Sequence, residues 1–160
     1  MGLRLEAREE RYFSKAEIAV PLEQLVYEQW LETGQYRAPY VKYQPNFQQI
    51  FHLNDLGLYR VILLWTGGEL VGYLFFHLAP SLHTSSLVAT HDIFFVRKDW
   101  RIGRGALLLL READKVCEEL GVREVYAAHV GGDSMTKLMT HTDYKVIGSQ
   151  CYKVLGGQEV

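Results

Sequence analysis

The stretch Arg101-Ile102-Gly103-Arg104-Gly105-Ala106 decides how this sequence folds. It stands between an apolar run, Ile93–Val96, and a long amphipathic segment. The first turn of a helix leaves backbone N–H groups without partners, and a Ser, Thr, Asp or Asn normally accepts one of them. This junction has none of those residues, but it has two glycines and two arginines. Because cations are unfavourable at a helix N-terminus unless an anion lies there too, the sequence predicts a phosphate-binding turn.

Other interpretations of the same stretch remain. The simplest is an exposed turn whose arginines face water. A dinucleotide-binding fold would need a third glycine, and Leu108 stands at that place. A P-loop would need Gly-Lys followed by Ser or Thr, and this chain has no such triplet.

The composition excludes several functional classes. A chain of 160 residues with 48% hydrophobic residues predicts one domain, covering 1–160, with a normal core. The formal net charge of -2 argues against nucleic-acid binding. No apolar run reaches the roughly 18 residues that span a bilayer, and the start lacks a signal-peptide core, so we expect a soluble cytoplasmic protein. Neither the cysteines nor the histidines have the spacing of metal ligands, and no metal is expected.

Hydrophobic periodicity and turn residues predict the element order βααβββαβαββ, an antiparallel meander followed by a βαβ unit. In chain order, the sequence predicts a strand over 11–19, helices over 21–31 and 45–53, strands over 58–66, 69–78 and 87–96, a helix over 106–120, a strand over 122–130, a short helix capped by Asp133 or Ser134, and strands over 144–147 and 151–155. Cys117 falls on the apolar stripe of the long helix and is expected in the core.

At this strand-to-helix junction the chain resembles the GNAT superfamily of acyl-CoA-dependent N-acetyltransferases. Their signature, Gln/Arg-x-x-Gly-x-Gly/Ala, is read here from Arg101 to Ala106, with Arg104 where the first Gly is usual. The preceding stretch 96–101 is similar to the family's V-x-P-x-Y-R approach loop, with Trp100 as the aromatic residue.

The resemblance extends over about residues 56–155. Residues 138–144 and 152–155 are similar to the family's last helix and final strands, and the connection 79–86 resembles that of small bacteriophage-encoded members. The resemblance implies an α/β, layered fold: a mixed, mostly antiparallel sheet with helices on both faces. It also implies acetyl-CoA as cosubstrate and an amine acceptor that attacks the thioester directly. The residues implied in cofactor binding are Phe94, Phe95, Val96, Arg101, Ile102, Gly103, Arg104, Gly105 and Ala106.

Asp92 is the candidate general base. Strict alternation along the strand places it on the same face as Thr90, Phe94 and Val96, with His91 on the opposite face. A carboxylate between apolar neighbours suits proton abstraction, and some family members carry a catalytic group on this strand. The alternative is that the strand begins later and Asp92 is an ordinary solvated turn residue.

The proton donor for the departing thiolate is less evident. Much of the family uses a tyrosine on the last helix, and the resemblance places Met139 there, which cannot donate a proton. His141, Ser134 or a water molecule could replace it, and His129, near the end of a predicted strand, is the second candidate catalytic residue.

The acceptor is not readable from the sequence. A small-molecule amine, a protein lysine or a protein N-terminus would each fit, and a homodimer is compatible with the family. The rival hypothesis is a CoA-binding or protein-interaction module that has kept the fold and lost turnover.

Overall fold

The computed structural model describes residues 4–129 and 132–155. These residues form five strands and four α-helices, which in chain order are β1 (Leu5–Glu9), α1 (Ala16–Thr33), α2 (Phe47–Asp55), β2 (Tyr59–Thr66), β3 (Glu69–Pro80), β4 (Leu87–Val96), α3 (Gly105–Glu119), β5 (Glu124–Ala127) and α4 (Gly132–His141). A short 3-10 helix, Lys98–Trp100, lies between β4 and α3.

The five strands form one sheet in the order β1-β2-β3-β4-β5. β1 to β4 pair antiparallel, and β4 pairs with β5 in parallel. A parallel pair needs a crossover connection, which α3 provides. The prediction of a mixed, mostly antiparallel sheet is therefore confirmed.

Helices cover both faces of this sheet, as predicted. On one side, which we call the α1 face, Leu22 and Leu25 of α1 pack against Phe75 of the sheet. On the other side, the α3 face, Leu109 and Leu110 of α3 pack against the opposite sheet residues, and Met139 of α4 joins them. Because strand side chains alternate between faces, each strand contributes to both cores.

The N-terminal prediction is wrong in two places. The first strand is Leu5–Glu9 rather than 11–19, since Leu5 and Ala7 reach the α3-face core while the alternate residues, Glu6 and Arg8, are charged and exposed. Helix α1 starts at Ala16, not at Pro21, which lies inside it. Pro21 removes one helical N–H, but the apolar stripe around it continues without a break and holds the helix on the sheet.

The two predicted C-terminal strands are also wrong. Residues 142–155 contain no strand, and Val146 and Ile147 are exposed at 72% and 80%. The strand predicted over 122–130 is shorter, Glu124–Ala127, and residue 130 lies outside the described residues. A β5 of four residues leaves little ladder on which further strands can pair. Every other predicted element starts and ends within about two residues of its observed position.

Candidate functional site

A gap in the sheet opens where β4 extends beyond β5. The two strands pair from Val88↔Glu124 to His91↔Ala127, and β4 then continues to Val96. In the described part of the chain, no pairing with β5 continues past that point. Among the described residues, the edge of β4 from residue 92 to 96 therefore has no strand partner on that side, and we call this place the gap.

Main-chain polar groups of β4 point into this gap at alternate residues. The N–H of Arg97 donates to the carbonyl oxygen of Val71 in β3 over 2.8 Å. Since N–H and C=O directions alternate along an antiparallel strand, the main chain of Phe95 also faces β3. The corresponding groups of Phe94 and Val96 face the gap, where a ligand can pair with them like an added strand.

The loop beyond the gap requires glycine at two positions. Gly103 has φ +118°, a conformation that residues with a Cβ rarely adopt. A Cβ on Gly105 would lie 2.9 Å from Cδ2 of Leu64 and 3.3 Å from the carbonyl oxygen of Trp100. The two positions that demand glycine are thus 103 and 105, one residue earlier than in the motif alignment that placed Arg104 at a glycine position.

Helix α3 starts without a side-chain cap, as the sequence predicts. Its N-cap residue is Arg104, whose side chain makes no capping hydrogen bond. The first helical bond runs from the N–H of Leu108 to the carbonyl oxygen of Arg104 over 2.9 Å. The N–H groups of Gly105, Ala106 and Leu107 precede this bond and have no helical acceptor. Leu107 is not among the residues that the resemblance implies in cofactor binding, so the structure adds its N–H group to those of residues 102–106.

Arg101 is engaged by the protein itself. Its Nε donates to the carbonyl oxygen of Val96 over 2.7 Å, and its Nη2 donates to Glu32 in the last turn of α1, also over 2.7 Å. The guanidinium carbon lies 5.3 Å from the ring centre of Phe95. The hydrogen bond from Arg101 lowers the pKa of the Glu32 carboxyl. Arg104, by contrast, is exposed and has no hydrogen bond or ion pair to the described residues.

Asp92 lies at a bulge in β4. Ile93 pairs with Phe75 of β3 and His91 pairs with Phe76, so Asp92 is the extra residue between them. The bulge turns the side chain of Asp92 to the α1 face.

The expectation that Asp92 shares a face with Phe94 and Val96 is therefore wrong. Phe94 and Val96 pack in the α3-face core, whereas the hydroxyl of Tyr59, a residue of the α1-face core, donates to Asp92. Burial, followed by the charge of Asp92, raises the pKa of Tyr59, which keeps this phenol protonated. Asp92 itself is exposed, so an acceptor can reach its carboxylate.

On the α3 face, buried His91 belongs to a polar cluster with half-buried Tyr144 and Asp114, which the sequence analysis did not identify. The Tyr144 hydroxyl lies 3.5 Å from Nε2 of His91 and donates to Oδ1 of Asp114 over 3.3 Å. Burial lowers the pKa of His91 to about 4 and raises the pKa of Asp114. Three residues from β4, α3 and the C-terminal segment meet here, and no spacing along the chain indicates that contact.

His129 lines a cavity of about 1070 Å³ between β5, α4 and residues 142–150. Its Nδ1 atom is buried and has no partner among the described residues. No hydrogen bond joins His129 to Asp92, so the structure does not bring the two candidate catalytic residues into contact. Met139, at the place where the family has its tyrosine, is buried in the α3-face core.

The two cysteines lie in different environments. Cys117 is buried, as predicted, and burial raises the pKa of its thiol to about 12. Cys151 is exposed. Among residues 4–129 and 132–155 there is no cluster of three or more metal-ligating side chains, and no helix there has the length and apolar character needed to cross a membrane.

The overall structure is similar to those of known acetyltransferases. An aminoglycoside acetyltransferase from an uncultured soil metagenomic sample, in complex with sisomicin, matches with a TM-score of 0.72 at 14% identity, over 94% of this chain and 96% of that chain. The ribosomal-protein-alanine N-acetyltransferase of Brucella melitensis biovar Abortus 2308 matches with a TM-score of 0.65 at 17% identity, over 96% and 100%. A transcriptional regulator from Bacillus halodurans C-125 matches with a TM-score of 0.71 at 18% identity, over 95% and 100%.

No protein-family model matches the sequence, and no curated protein is significantly similar to it. The likeness is therefore one of structure, at identities of 12–21% among the first matches. It is consistent across acetyltransferases from several sources and covers nearly the whole chain. The chain has the GNAT acetyltransferase fold, which confirms the fold that the residues around Gly103 implied.

Proposed function

We propose that the protein is an N-acetyltransferase that moves the acetyl group of acetyl-CoA to an amine. The observation that carries this proposal is that two features follow each other along the chain, the gap beside β4 and the uncapped N-terminus of α3. The gap beside β4 leaves main-chain groups of Phe94 and Val96 without a strand partner, and the glycine loop that follows β4 ends at the uncapped N-terminus of α3. A slot for an extended arm that ends at an anion site matches the shape of CoA, in which a pantetheine arm ends in a diphosphate.

The loop residues fit the diphosphate. Gly103 has a positive φ and Gly105 lies close to the sheet, so the backbone of the loop follows a course that a side chain at either position would disturb. In our proposal the N–H groups of residues 102–107 bind the diphosphate, and Arg104 adds a charge. Phe94 and Val96 would pair with the pantetheine arm, except at the carbonyl oxygen of Val96, which accepts from Arg101.

The residues of the gap then have distinct roles. Acetyl-CoA supplies an acyl group activated as a thioester. Asp92 accepts a proton from the acceptor ammonium, and the free amine attacks the thioester carbonyl, forming the C–N bond. A main-chain N–H of β4 that faces the gap stabilises the resulting oxyanion. The nitrogen of the tetrahedral intermediate then loses its second proton to water, the C–S bond breaks, and His129 donates a proton to the departing thiolate.

Direct attack is consistent with the chemistry of the cysteines. Cys117 stays a thiol at neutral pH because burial raises its pKa to about 12, and only a thiolate is an effective nucleophile. We therefore assign no covalent acyl-enzyme step to it. Tyr59 has a positioning role, since its hydroxyl donates to the Asp92 carboxylate and holds it at the edge of the gap.

The acceptor is proposed only as an amine, either a small molecule or a protein lysine or N-terminus. The structures with this fold include an aminoglycoside acetyltransferase and a ribosomal-protein-alanine N-acetyltransferase. We propose a cytoplasmic location, no nucleic-acid partner, and a homodimer as the form to test first.

One observation favours a second candidate, a CoA-binding module without turnover. Met139 occupies the place of the usual proton donor and is buried. A CoA-release assay with a panel of small amines, peptides and proteins separates the two functions. Release with any amine, abolished when the amine is omitted, supports the enzyme. Tight acetyl-CoA binding without release for the whole panel supports the module.

A further inference from the structure

Two arginine–glutamate pairs join α1 to the segment after β4. Arg97 donates to Glu28 over 2.8 and 2.9 Å, and Arg101 donates to Glu32 over 2.7 Å. The two glutamates are one helical turn apart, and the two arginines have the same spacing on either side of the 3-10 helix. The end of α1 is therefore bound twice to the segment that leads into the phosphate-binding loop.

The pair formed by Arg101 differs from an ordinary surface ion pair. An isolated exposed pair contributes little to stability. Here both terminal nitrogens of the guanidinium contact the Glu32 carboxylate, while Nε donates to the last carbonyl of β4, at Val96. The stacking of the guanidinium on Phe95 fixes the plane of the fork. A bidentate, charge-assisted fork with a third acceptor has a defined geometry.

This geometry places Arg101 at the meeting point of three parts of the site. Val96 is the end of the gap edge, Glu32 is in the last turn of α1, and Arg101 itself begins the glycine loop. Each of its three guanidinium nitrogens contacts a protein acceptor, and the side chain is 38% exposed. Arg104, three residues on, is exposed and has no such partners among the described residues.

We propose that Arg101 is a positioning residue, not a phosphate ligand: with Glu32 it forms a clamp that sets the loop against α1 and the end of β4. Arg104 alone then supplies side-chain charge to the phosphates. The proposal corrects the expectation that both arginines bind phosphate, and it rests on the proposed binding of acetyl-CoA. Loss of the clamp displaces both the loop and the end of β4, so both the phosphate end and the pantetheine arm of the cofactor bind more weakly.

Binding of two ligands by each variant tests this division of roles. Acetyl-CoA carries a phosphorylated nucleotide and S-acetylpantetheine carries none. The dissociation constant of S-acetylpantetheine divided by that of acetyl-CoA therefore measures the contribution of the phosphate-bearing end. Arg104→Gln is expected to reduce this ratio by roughly tenfold, the worth of one charge-assisted hydrogen bond. Arg101→Gln and Glu32→Gln are expected to weaken both ligands equally and leave the ratio within about twofold.

Glu32→Gln gives the sharpest contrast, because it frees Arg101 without changing any residue of the loop. If Arg101 is a phosphate ligand, this variant binds CoA as well as the wild type or better, and Arg101→Gln lowers the ratio as Arg104→Gln does. Either result overturns the proposal. Glu28→Gln is the matched control, since it removes the neighbouring pair one turn earlier on α1. It is expected to have a smaller effect than Glu32→Gln on both ligands.

A double-mutant cycle tests the clamp without any cofactor. Urea unfolding gives the loss of unfolding free energy in Arg101→Gln, in Glu32→Gln and in the double variant. These losses are expected to be non-additive, with the double variant no less stable than Arg101→Gln. Additive losses would overturn the clamp even if CoA binds. If the wild type binds neither CoA nor S-acetylpantetheine while the cycle shows coupling, the proposed function fails and the clamp remains.

Discussion

The two faces of β4 differ most at its bulge, where neighbouring residues meet opposite conditions. Asp92 turns to the α1 face, is exposed, and accepts a hydrogen bond from Tyr59. His91 turns to the α3 face, is only 5% exposed, and stays neutral because burial lowers its pKa to about 4. One extra residue in the strand therefore separates a reachable carboxylate from a buried imidazole.

The difference indicates which face carries out chemistry and which supports the fold. An exposed carboxylate at the edge of the gap can meet an acceptor, whereas the cluster of His91, Tyr144 and Asp114 joins β4, α3 and the C-terminal segment through its side-chain contacts. Apart from His129, the proposed proton donor, which lines the cavity on the α3 side, we expect changes on the α1 face to affect turnover and changes on the α3 face to affect stability.

The largest expected effect is that of Asp92→Asn on turnover. The amide can still accept from Tyr59 but cannot take a proton, so kcat is expected to fall by about 10²–10⁴ with CoA affinity nearly unchanged. The deficit shrinks as pH rises, because more of the acceptor amine arrives deprotonated. Steady-state kinetics from neutral to alkaline pH check this. Asp99→Asn, an exposed carboxylate in the 3-10 helix, is the matched control. Full activity of Asp92→Asn at neutral pH would show that the base is elsewhere.

The second effect concerns stability and comes from His91. The pKa of His91 in the folded protein, about 4, lies below the usual histidine value of about 6.5, so between these values only the unfolded chain binds the proton. Stability is therefore expected to fall as pH drops from about 6.5 to 4, by roughly 3 kcal/mol at about 1.4 kcal/mol per pKa unit. Urea unfolding at several pH values measures this slope.

His91→Gln is expected to lose that part of the pH dependence, whereas His52→Gln, at an exposed position in α2, is expected to keep it. If the free energy of unfolding depends on pH equally in His91→Gln and His52→Gln, groups other than His91 cause the acid sensitivity.

A smaller effect is expected for Tyr144→Phe. The change leaves Asp114, which is half-buried, without its phenol donor, and it is expected to cost about 1–2 kcal/mol of the free energy of unfolding. The measurement is the urea midpoint at constant m-value, with Tyr126→Phe in β5 as the exposed control. The affinity for acetyl-CoA is expected to stay the same. A large loss of kcat without a loss of stability would place chemistry on the α3 face and reverse the comparison.

The smallest effect is expected for Tyr59→Phe. The variant keeps the ring in the α1-face core and removes only the hydroxyl that holds Asp92. A lost hydrogen bond of about 1 kcal/mol would lower kcat by about fivefold, with little change in the urea midpoint. Kinetics of Tyr59→Phe, Asp92→Asn and the double variant show whether the two residues act together. Additive effects would mean that Tyr59 does not act through Asp92.

The elements with strong local patterns were predictable from the sequence. The glycine turn, the uncapped start of α3 and the central strands depend on residues close together in the chain, and the structure has them. The face of Asp92 was not predictable, because strict alternation cannot foresee a bulge. The partners of Arg101 were not predictable either, since Glu32 is far away in the chain and only the packed fold brings it near. The C-terminal strands were overpredicted, because local apolar content cannot show whether a sheet edge accepts them.

The most direct test of the account is amide hydrogen exchange with and without saturating acetyl-CoA. The account predicts slower exchange for the N–H groups of Phe94 and Val96 and for residues 102–107, because these groups face the gap and the loop. The same addition should raise the melting temperature, since a ligand at about 100 times its dissociation constant adds roughly 2.7 kcal/mol of stability. Unchanged exchange at all these amides in millimolar acetyl-CoA, or protection confined to another part of the chain, would contradict the proposed site.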